Sequence, residues 1–326
     1  MTTAKRPPIS DRGAEIRPPE NGDEGFLSVH VDYVQVTFAA TAAATVAEML
    51  STWLPGDWMQ ADRGWLGYES QLIGFGGARV LSSVRRPEVH VVIPGVACSA
   101  LPNEVMAELL LGAANAGGKF TRADLAADDF ARVAEPFEVR QAIVVNNELV
   151  SHARKVNFFE SLRGDDGTTV YVGAPASRQR LRIYDKRAES DGEVDSVRWE
   201  IQAREEAAET LIAQLIAAPV AEWGAVWAGR LVAVADFRVA GSETEERERV
   251  GWFQRLVGLA EKLGAYGPVP PRTLEQIRNW LVRQCAPSVA TVITAFGGDT
   301  EFLFELVREG VARMGPRHRL LLNQAA

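Results

Sequence analysis

The order of apolar and polar positions divides the chain into a β-rich part followed by an α-helical part. Alternation with a period of two predicts strands over residues 29–38, within 67–94, and over 120–128, 168–173, 178–186 and 196–204. Helical spacing predicts helices over 44–54, 103–116 and 136–145, and then over 205–218, 221–236, 245–264, 271–284, 287–296 and 300–314. This order predicts an α+β fold: a large antiparallel sheet with flanking helices, followed by a mostly helical C-terminal region.

Local composition suggests three segments. Residues 1–25 are rich in proline, glycine and charge, which predicts a disordered tail. The polar stretch that begins at Gly241 interrupts the helical pattern. We therefore expect the sheet-bearing domain over residues 26–240 and the helical C-terminal region over 241–326.

Overall composition excludes several classes of protein. No run of 18 apolar residues is present, which argues against a membrane span, and the N-terminal basic residues precede no apolar run, which argues against a secretory signal. Two cysteines, Cys98 and Cys285, are too few for a disulfide framework or a zinc ribbon. We therefore expect a cytoplasmic protein. The net charge of -8 does not suggest a nucleic-acid-binding protein, although a local cationic stripe can bind phosphate on an acidic body.

One predicted strand carries cations where a buried face would be expected. Successive side chains of a strand point to opposite faces. Within 178–186, Leu181 and Ile183 therefore share one face, and the other face carries a tyrosine among four cations: Arg178, Arg180, Arg182, Tyr184 and Lys186. This strand alone is also compatible with a solvated sheet edge.

Two further strands place acidic groups in the same way. Asp124 and Asp128 share a face with Arg122, and Glu200 shares a face with Arg198. Carboxylates are ligands suited to Mg²⁺ or Mn²⁺. If these strands are neighbours, the result is an acidic cluster beside a tyrosine among arginines, a combination that fits phosphodiester chemistry.

The same residues carry a resemblance to a known family. Residues 120–128 (FTRADLAAD) resemble the TRxDLAxD element of the Rep_trans replication initiation factor family. Tyr171, Gly173 and Ser177, followed by residues 181–186 (LRIYDK), resemble its xYxGxxxSxxxxRIYxK element. Residues 198–200 resemble its RxE element, and the tail residues 284–290 and 296–299 are similar to those of phage-type members.

The resemblance implies a rolling-circle replication initiator of a phage or plasmid. Such enzymes nick and join one DNA strand at an origin, sequence-specifically, through a 5′-phosphotyrosine intermediate with a divalent metal. The implied nucleophile is Tyr184 and the implied metal ligands are Asp124, Asp128 and Glu200. The phosphate-binding residues would come from the basic set Arg122, Arg178, Arg180, Arg182, Lys186 and Arg198. At Gln202 the chain departs from members that carry a second acid after RxE.

Several alternatives stay open at this point. A relaxase for conjugative transfer would share the chemistry, whereas a non-catalytic origin-binding protein would share only the fold. Tyr171 is the rival nucleophile, although its position favours packing or DNA stacking. The four histidines form no His-x-His pair, so a carboxylate-bound metal fits better than a histidine-bound one. No Walker A lysine is present, so unwinding would need a partner such as a host helicase. A homodimer is also compatible with the sequence.

Overall fold

The computed structural model describes residues 27–160, 168–190, 194–241, 247–261, 278 and 286–312. The predicted N-terminal tail and the helix predicted over 271–284 lie outside these residues, apart from position 278. The chain divides into two compact units, residues 1–267 and 268–326.

Twelve strands form within the described residues. In chain order they are β1 (Leu27–Ala39), β2 (Met59–Gln60), β3 (Ser70–Ile73), β4 (Arg79–Ser83), β5 (Arg86–Ile93), β6 (Lys119–Asp129), β7 (Leu149–Val150), β8 (Val156–Glu160), β9 (Thr168–Val172), β10 (Gln179–Asp185), β11 (Val197–Arg204) and β12 (Asp236–Phe237). Ten of them form one antiparallel sheet in the order β2-β3-β4-β5-β1-β6-β11-β10-β9-β8, and β7 pairs with β12. The three strands that carry polar groups, β6, β11 and β10, are therefore consecutive neighbours near the middle of the sheet.

The helices of the first unit precede, follow and connect these strands. They are α1 (Ala43–Leu50), α2 (Gly95–Ser99), α3 (Asn103–Asn115), α4 (Pro136–Val144), α5 (Lys186–Glu189), α6 (Glu206–Ala217), α7 (Trp223–Val234) and α8 (Gly251–Glu261). The second unit contributes α9 (Ala286–Ala295) and α10 (Glu301–Ala312). The predicted α+β class, with a large antiparallel sheet and C-terminal helices, is confirmed.

One face of the central strands forms the main core. Leu125, Leu181, Ile183, Trp199 and Ile201 alternate with the polar residues and are fully buried. Helices α6 and α7 contact this part of the sheet and contribute residues at helical spacing, among them Leu211, Leu215, Trp223, Trp227 and Leu231. Trp227 Nε1 donates to the Trp199 carbonyl oxygen at 3.2 Å, so the buried donor of the helix and the buried acceptor of the strand satisfy each other.

The turn that aligns β10 depends on a glycine. Gly173, directly after β9, has a φ of +109°, which side-chain-bearing residues rarely adopt. A Cβ there would lie 3.2 Å from the Gln179 carbonyl oxygen. The Gly173 N–H donates to the Lys155 carbonyl at 2.8 Å, which ties this turn to the chain just before β8.

The structure corrects two parts of the pattern-based prediction. No element is predicted between 146 and 167, and the structure has the short strand β7 and the edge strand β8 there. The helix predicted over 221–236 ends at Val234, and the short strand β12 begins at Asp236. Helix α8 lies in the first unit, where Phe253 and Leu256 are buried in the main core, whereas the predicted domain boundary at 240–241 stays a prediction.

Candidate active site

The face of the central sheet opposite the core is lined by polar side chains in ordered rows. Residues paired across antiparallel strands project to the same face. One row runs from Tyr184 on β10 through Arg198 on β11 to Asp128 on β6. The adjacent rows place Arg182 beside Glu200, and Gln202 beside Asp124. Pairing thus brings the predicted tyrosine, cations and acids onto one continuous surface.

Tyr184 lies under two cations. The Arg182 guanidinium carbon is 3.9 Å from the centroid of the tyrosine ring, and Lys186 Nζ is 5.9 Å from it. The residue is only 3 % exposed. Burial raises the pKa of the phenol well above its usual 10, against the opposing charge of Arg198. The hydroxyl therefore carries its proton at neutral pH.

Arg198 is the centre of a buried ion-pair cluster. Its Nε and Nη2 donate to the two carboxylate oxygens of Asp128 at 2.7 and 2.8 Å, and its Nη1 donates to Asp32 at 2.8 Å. Although burial opposes ionisation, the Arg198 charge lowers the pKa of Asp128. The guanidinium of Arg198 and both oxygens of Asp128 are thus already engaged with protein groups.

Asp124 has a different electrostatic environment. Arg122 donates to its two oxygens, from Nε at 3.0 Å and from Nη2 at 2.5 Å. Even so, burial and the negative charge of Glu200 raise the pKa of Asp124 to about 7. Glu200 itself accepts from Gln202 Nε2 at 2.6 Å and pairs with Arg182 Nη1 at 3.4 Å. Two carboxylates therefore repel each other in a low-dielectric site, which a bound cation would relieve.

The residue types at this site suit a metal ion, but their side chains are not arranged to hold one. Within the described ranges, no group of three or more His, Cys, Asp or Glu side chains is arranged to hold a metal ion. Asp124 and Glu200 are nevertheless buried oxygen donors whose mutual repulsion favours a positive charge between them. Asp128 offers its oxygens only if Arg198 releases them.

The remaining predicted phosphate-binding arginines differ in their partners. Arg178 forms an exposed pair with Glu206 at 2.7 Å. The Arg122 guanidinium covers the Tyr33 ring at 4.3 Å while it holds Asp124. Arg180 covers the ring of Tyr171 at 3.7 Å and has no ion pair within the described residues. Of the six predicted cations, Arg180 is thus the one whose charge no described carboxylate neutralises.

Two residues on β1 belong to the site and were not among the predicted site residues. Asp32 joins the Arg198 cluster, and His30 lies 3.7 Å from Asp32 and 3.9 Å from Asp128. Both imidazole nitrogens of His30 are buried without a hydrogen-bond partner. The alternation along the strand could have revealed them, because His30 and Asp32 lie on one face and Val29 and Val31 on the other.

Comparison with solved structures identifies the type of fold. The structure of a rolling-circle replication initiator protein from Geobacillus stearothermophilus superposes with a TM-score of 0.62 and 22% identity, covering 72% of this chain and 97% of that one. The sheet thus has the fold of a rolling-circle replication initiator.

Sequence comparison then defines the family. The replication initiation factor (Rep_trans) family model matches residues 118–307, more than half of the chain, and the protein belongs to this family. A putative DNA relaxase, NicK of Bacillus subtilis (strain 168), is 24% identical over 356 aligned residues, which cover 99% of this chain and 97% of that protein. The resemblance identified from residues 120–128, 170–186 and 198–200 is confirmed.

Proposed function

We propose that this protein initiates rolling-circle replication by nicking and rejoining one DNA strand, sequence-specifically, with Tyr184 as the nucleophile. The observation that carries the proposal is the row Tyr184–Arg198–Asp128, flanked by Arg182 and Glu200, on the polar face of the sheet. Family membership and the fold of a replication initiator support the same reaction.

In the proposed step, Tyr184 Oη attacks a backbone phosphorus. An O–P bond to tyrosine forms, the bond from phosphorus to the 3′ oxygen breaks, and the phenolic proton is lost while the leaving oxygen gains one. The product is a 5′-phosphotyrosine and a free 3′-hydroxyl, and the reverse reaction joins the strand. Because burial keeps the phenol protonated, its proton must pass to an acceptor as the reaction proceeds.

The cations around Tyr184 can bind the phosphate that the tyrosine attacks. The Arg182 side chain is 27% exposed and covers the tyrosine ring, so it can contact a phosphate placed over the hydroxyl. Lys186 begins α5 immediately after the strand, and the Asp185 carboxylate caps that helix by accepting from the Arg187 N–H at 3.0 Å. The cap fixes the direction in which the chain leaves the nucleophile.

We assign the divalent metal, Mg²⁺ or Mn²⁺, to Asp124 and Glu200 first, with Asp128 as the third predicted ligand. When bound, the ion would polarise the scissile phosphate. Asp124 must then give up its proton and loosen its pair with Arg122. The guanidinium released in this way would be available to a DNA phosphate, as predicted for Arg122.

A denaturing-gel assay tests the nucleophile. Wild-type protein, Tyr184→Phe and the matched control Tyr171→Phe are incubated with Mn²⁺ and single-stranded fragments that tile the replicon. We expect a protein–DNA adduct with wild type and Tyr171→Phe and none with Tyr184→Phe. An adduct that persists in Tyr184→Phe and disappears in Tyr171→Phe would assign the reaction to Tyr171. If no fragment gives an adduct, the enzyme proposal is wrong and the protein is a non-catalytic origin-binding protein.

A relaxase for conjugative transfer is the second candidate, favoured by alignment with the putative relaxase NicK over nearly the full length of both chains. The chemistry is the same, so the DNA distinguishes the two roles. Adducts at a site that supports plasmid replication indicate an initiator, whereas adducts only at a transfer origin indicate a relaxase.

We further propose that the protein acts in the cytoplasm on origin DNA, with strand unwinding by a host helicase, and a homodimer is compatible with this role. Within the described part of the chain, no helix has the length and apolar character needed to span a bilayer.

A further inference from the structure

The polar face continues beyond Tyr184 to the edge of the sheet, where it becomes aromatic. Tyr184 pairs with Thr169 on β9, which pairs with Phe159 on β8. In the next row Arg182 pairs with Tyr171. Phe159 and Tyr171 therefore lie on the same face as the proposed nucleophile. Strands are spaced about 4.8 Å apart, so Phe159 lies roughly 10 Å from Tyr184.

The Phe159 side chain is exposed to solvent and contacts the Tyr171 ring. It is 58% exposed, which is unusual for a phenylalanine on a sheet that buries most of its large apolar residues. Its ring meets the Tyr171 ring at an interplanar angle of 89° with centroids 5.5 Å apart. Arg180 covers Tyr171 with its guanidinium carbon 3.7 Å from the ring centroid. Contact with Tyr171, which Arg180 in turn covers, thus orients the exposed ring of Phe159.

Arg180 supplies the positive charge of this corner. Within the part of the chain that the structure describes, its buried Nε donates to no acceptor. Burial lowers the pKa of Arg180, and the nearby charges of Arg204 and Arg182 act in the same direction. Tyr171 and Glu200 oppose this shift, yet neighbouring arginines remain an unfavourable arrangement that a bound anion would stabilise.

We propose that this corner binds single-stranded DNA next to the nick, with one unpaired base stacked on Phe159 and a neighbouring phosphate bound by Arg180. An exposed ring beside an arginine with an unused donor matches the alternation of bases and phosphates along a single strand. Duplex DNA is disfavoured because its bases are already stacked and paired. With a rise of about 3.4 Å per nucleotide, the stacked base lies within about three nucleotides of the scissile phosphate.

This inference rests on the proposed function for its position relative to the nick, although binding can be measured separately. Fluorescence anisotropy is used to compare a labelled 20-nucleotide oligothymidine and a duplex of the same length, with full-length protein carrying Tyr184→Phe. Phe159→Ala, Phe159→Leu and Phe159→Trp are added to this background. Phe137→Ala, which removes a comparably exposed ring on α4, is the control.

Loss of one stacked base should weaken single-strand binding about 5- to 150-fold, the equivalent of about 1–3 kcal/mol per stacked base. We expect this loss for Phe159→Ala and Phe159→Leu, retained affinity for Phe159→Trp, and no change for Phe137→Ala. Because stacking is not ionic, the salt dependence should be unchanged in the Phe159 variants. Arg180→Gln should instead reduce the slope of log affinity against log salt by about 0.7.

Unchanged affinity for the single strand in both Phe159→Ala and Phe159→Leu would overturn the proposal, as would an equal loss for single strand and duplex. The Tyr184 adduct assay separates the two inferences. If wild type forms the adduct and Phe159→Ala binds the single strand with unchanged affinity, the stacking site is refuted and the nicking reaction is not. A Phe159-dependent affinity in a wild-type protein that forms no adduct refutes the nicking reaction and leaves the single-strand site.

Discussion

Replacing Asp124 with asparagine tests whether the acidic part of the site is built for a cation. The pKa of Asp124 is raised from the ordinary 3.8 to about 7 by burial and by Glu200. A raised folded-state pKa means that the contribution to stability is fully present below about pH 4 and is lost as the pH rises through 7. The difference corresponds to a loss on the order of 4 kcal/mol between pH 4 and pH 8.

Asparagine does not ionise, so Asp124→Asn should lack this loss. The pair with Arg122 is already included in the pKa of Asp124, so it adds no separate dependence on pH. We therefore expect the stability of Asp124→Asn relative to wild type to rise steadily from pH 4 to pH 8 in the absence of metal. Asp128→Asn is the matched control, because its stability relative to wild type should stay nearly constant between pH 4 and pH 8. The pKa of Asp128 is lowered, so its contribution to stability is present above pH 3.8 and is lost as the pH falls below that value.

Metal should reverse the effect in the wild type. A divalent cation at 100 times its dissociation constant stabilises the folded state by about 2.7 kcal/mol. Because the ion competes with the proton on Asp124, its affinity should fall about tenfold per pH unit below pH 7. Asp124→Asn should gain much less from Mn²⁺ at pH 8.

Urea unfolding at pH 4, 5, 6, 7 and 8, in EDTA and in Mn²⁺, measures all of these quantities. A difference between wild type and Asp124→Asn that stays constant with pH would refute the electrostatic reasoning. Equal stabilisation of the two proteins by Mn²⁺ at pH 8 would remove Asp124 from the metal site.

Two further substitutions test groups that the structure ties together. Arg198→Met leaves the carboxylates of Asp128 and Asp32 buried without their cation and should lower the free energy of unfolding by about 3–5 kcal/mol, with partial recovery on adding Asp128→Asn. If Arg198→Met instead weakens DNA binding at unchanged stability, the guanidinium serves phosphate, as predicted from sequence. Arg132 donates to Glu135 at 2.6 and 2.7 Å and to Asp185, the residue after Tyr184, at 3.4 Å. Arg132→Gln should therefore lower the free energy of unfolding by about 1–2 kcal/mol and slow adduct formation. Full activity of this variant would show that the network does not position Tyr184.

The edge of the sheet shows where pattern analysis loses information. Central strands such as β10 have one face in the core, so apolar and polar residues alternate and the strand is predicted correctly. Strand β8 lies at the edge and is partly exposed along its length, and its residues 156–160 (VNFFE) place two phenylalanines in succession. The alternation that identifies a strand is therefore weak there. For this reason the sequence did not reveal the strand that carries Phe159.

The sequence by itself determined which side chains share a strand face, because strand geometry has a fixed period of two. That is sufficient to put Tyr184 among arginines, to put Asp124 and Asp128 together, and to support the family resemblance. Only the tertiary structure decided how these groups pair, because strand order and register are set by contacts between distant segments. Asp32 and Arg198 are 166 positions apart in the chain, yet they share a 2.8 Å hydrogen bond. Pairing across strands thus leaves Asp128 neutralised by Arg198, whereas Asp124 lies opposite Gln202 and within the field of Glu200, a difference that no local pattern contains.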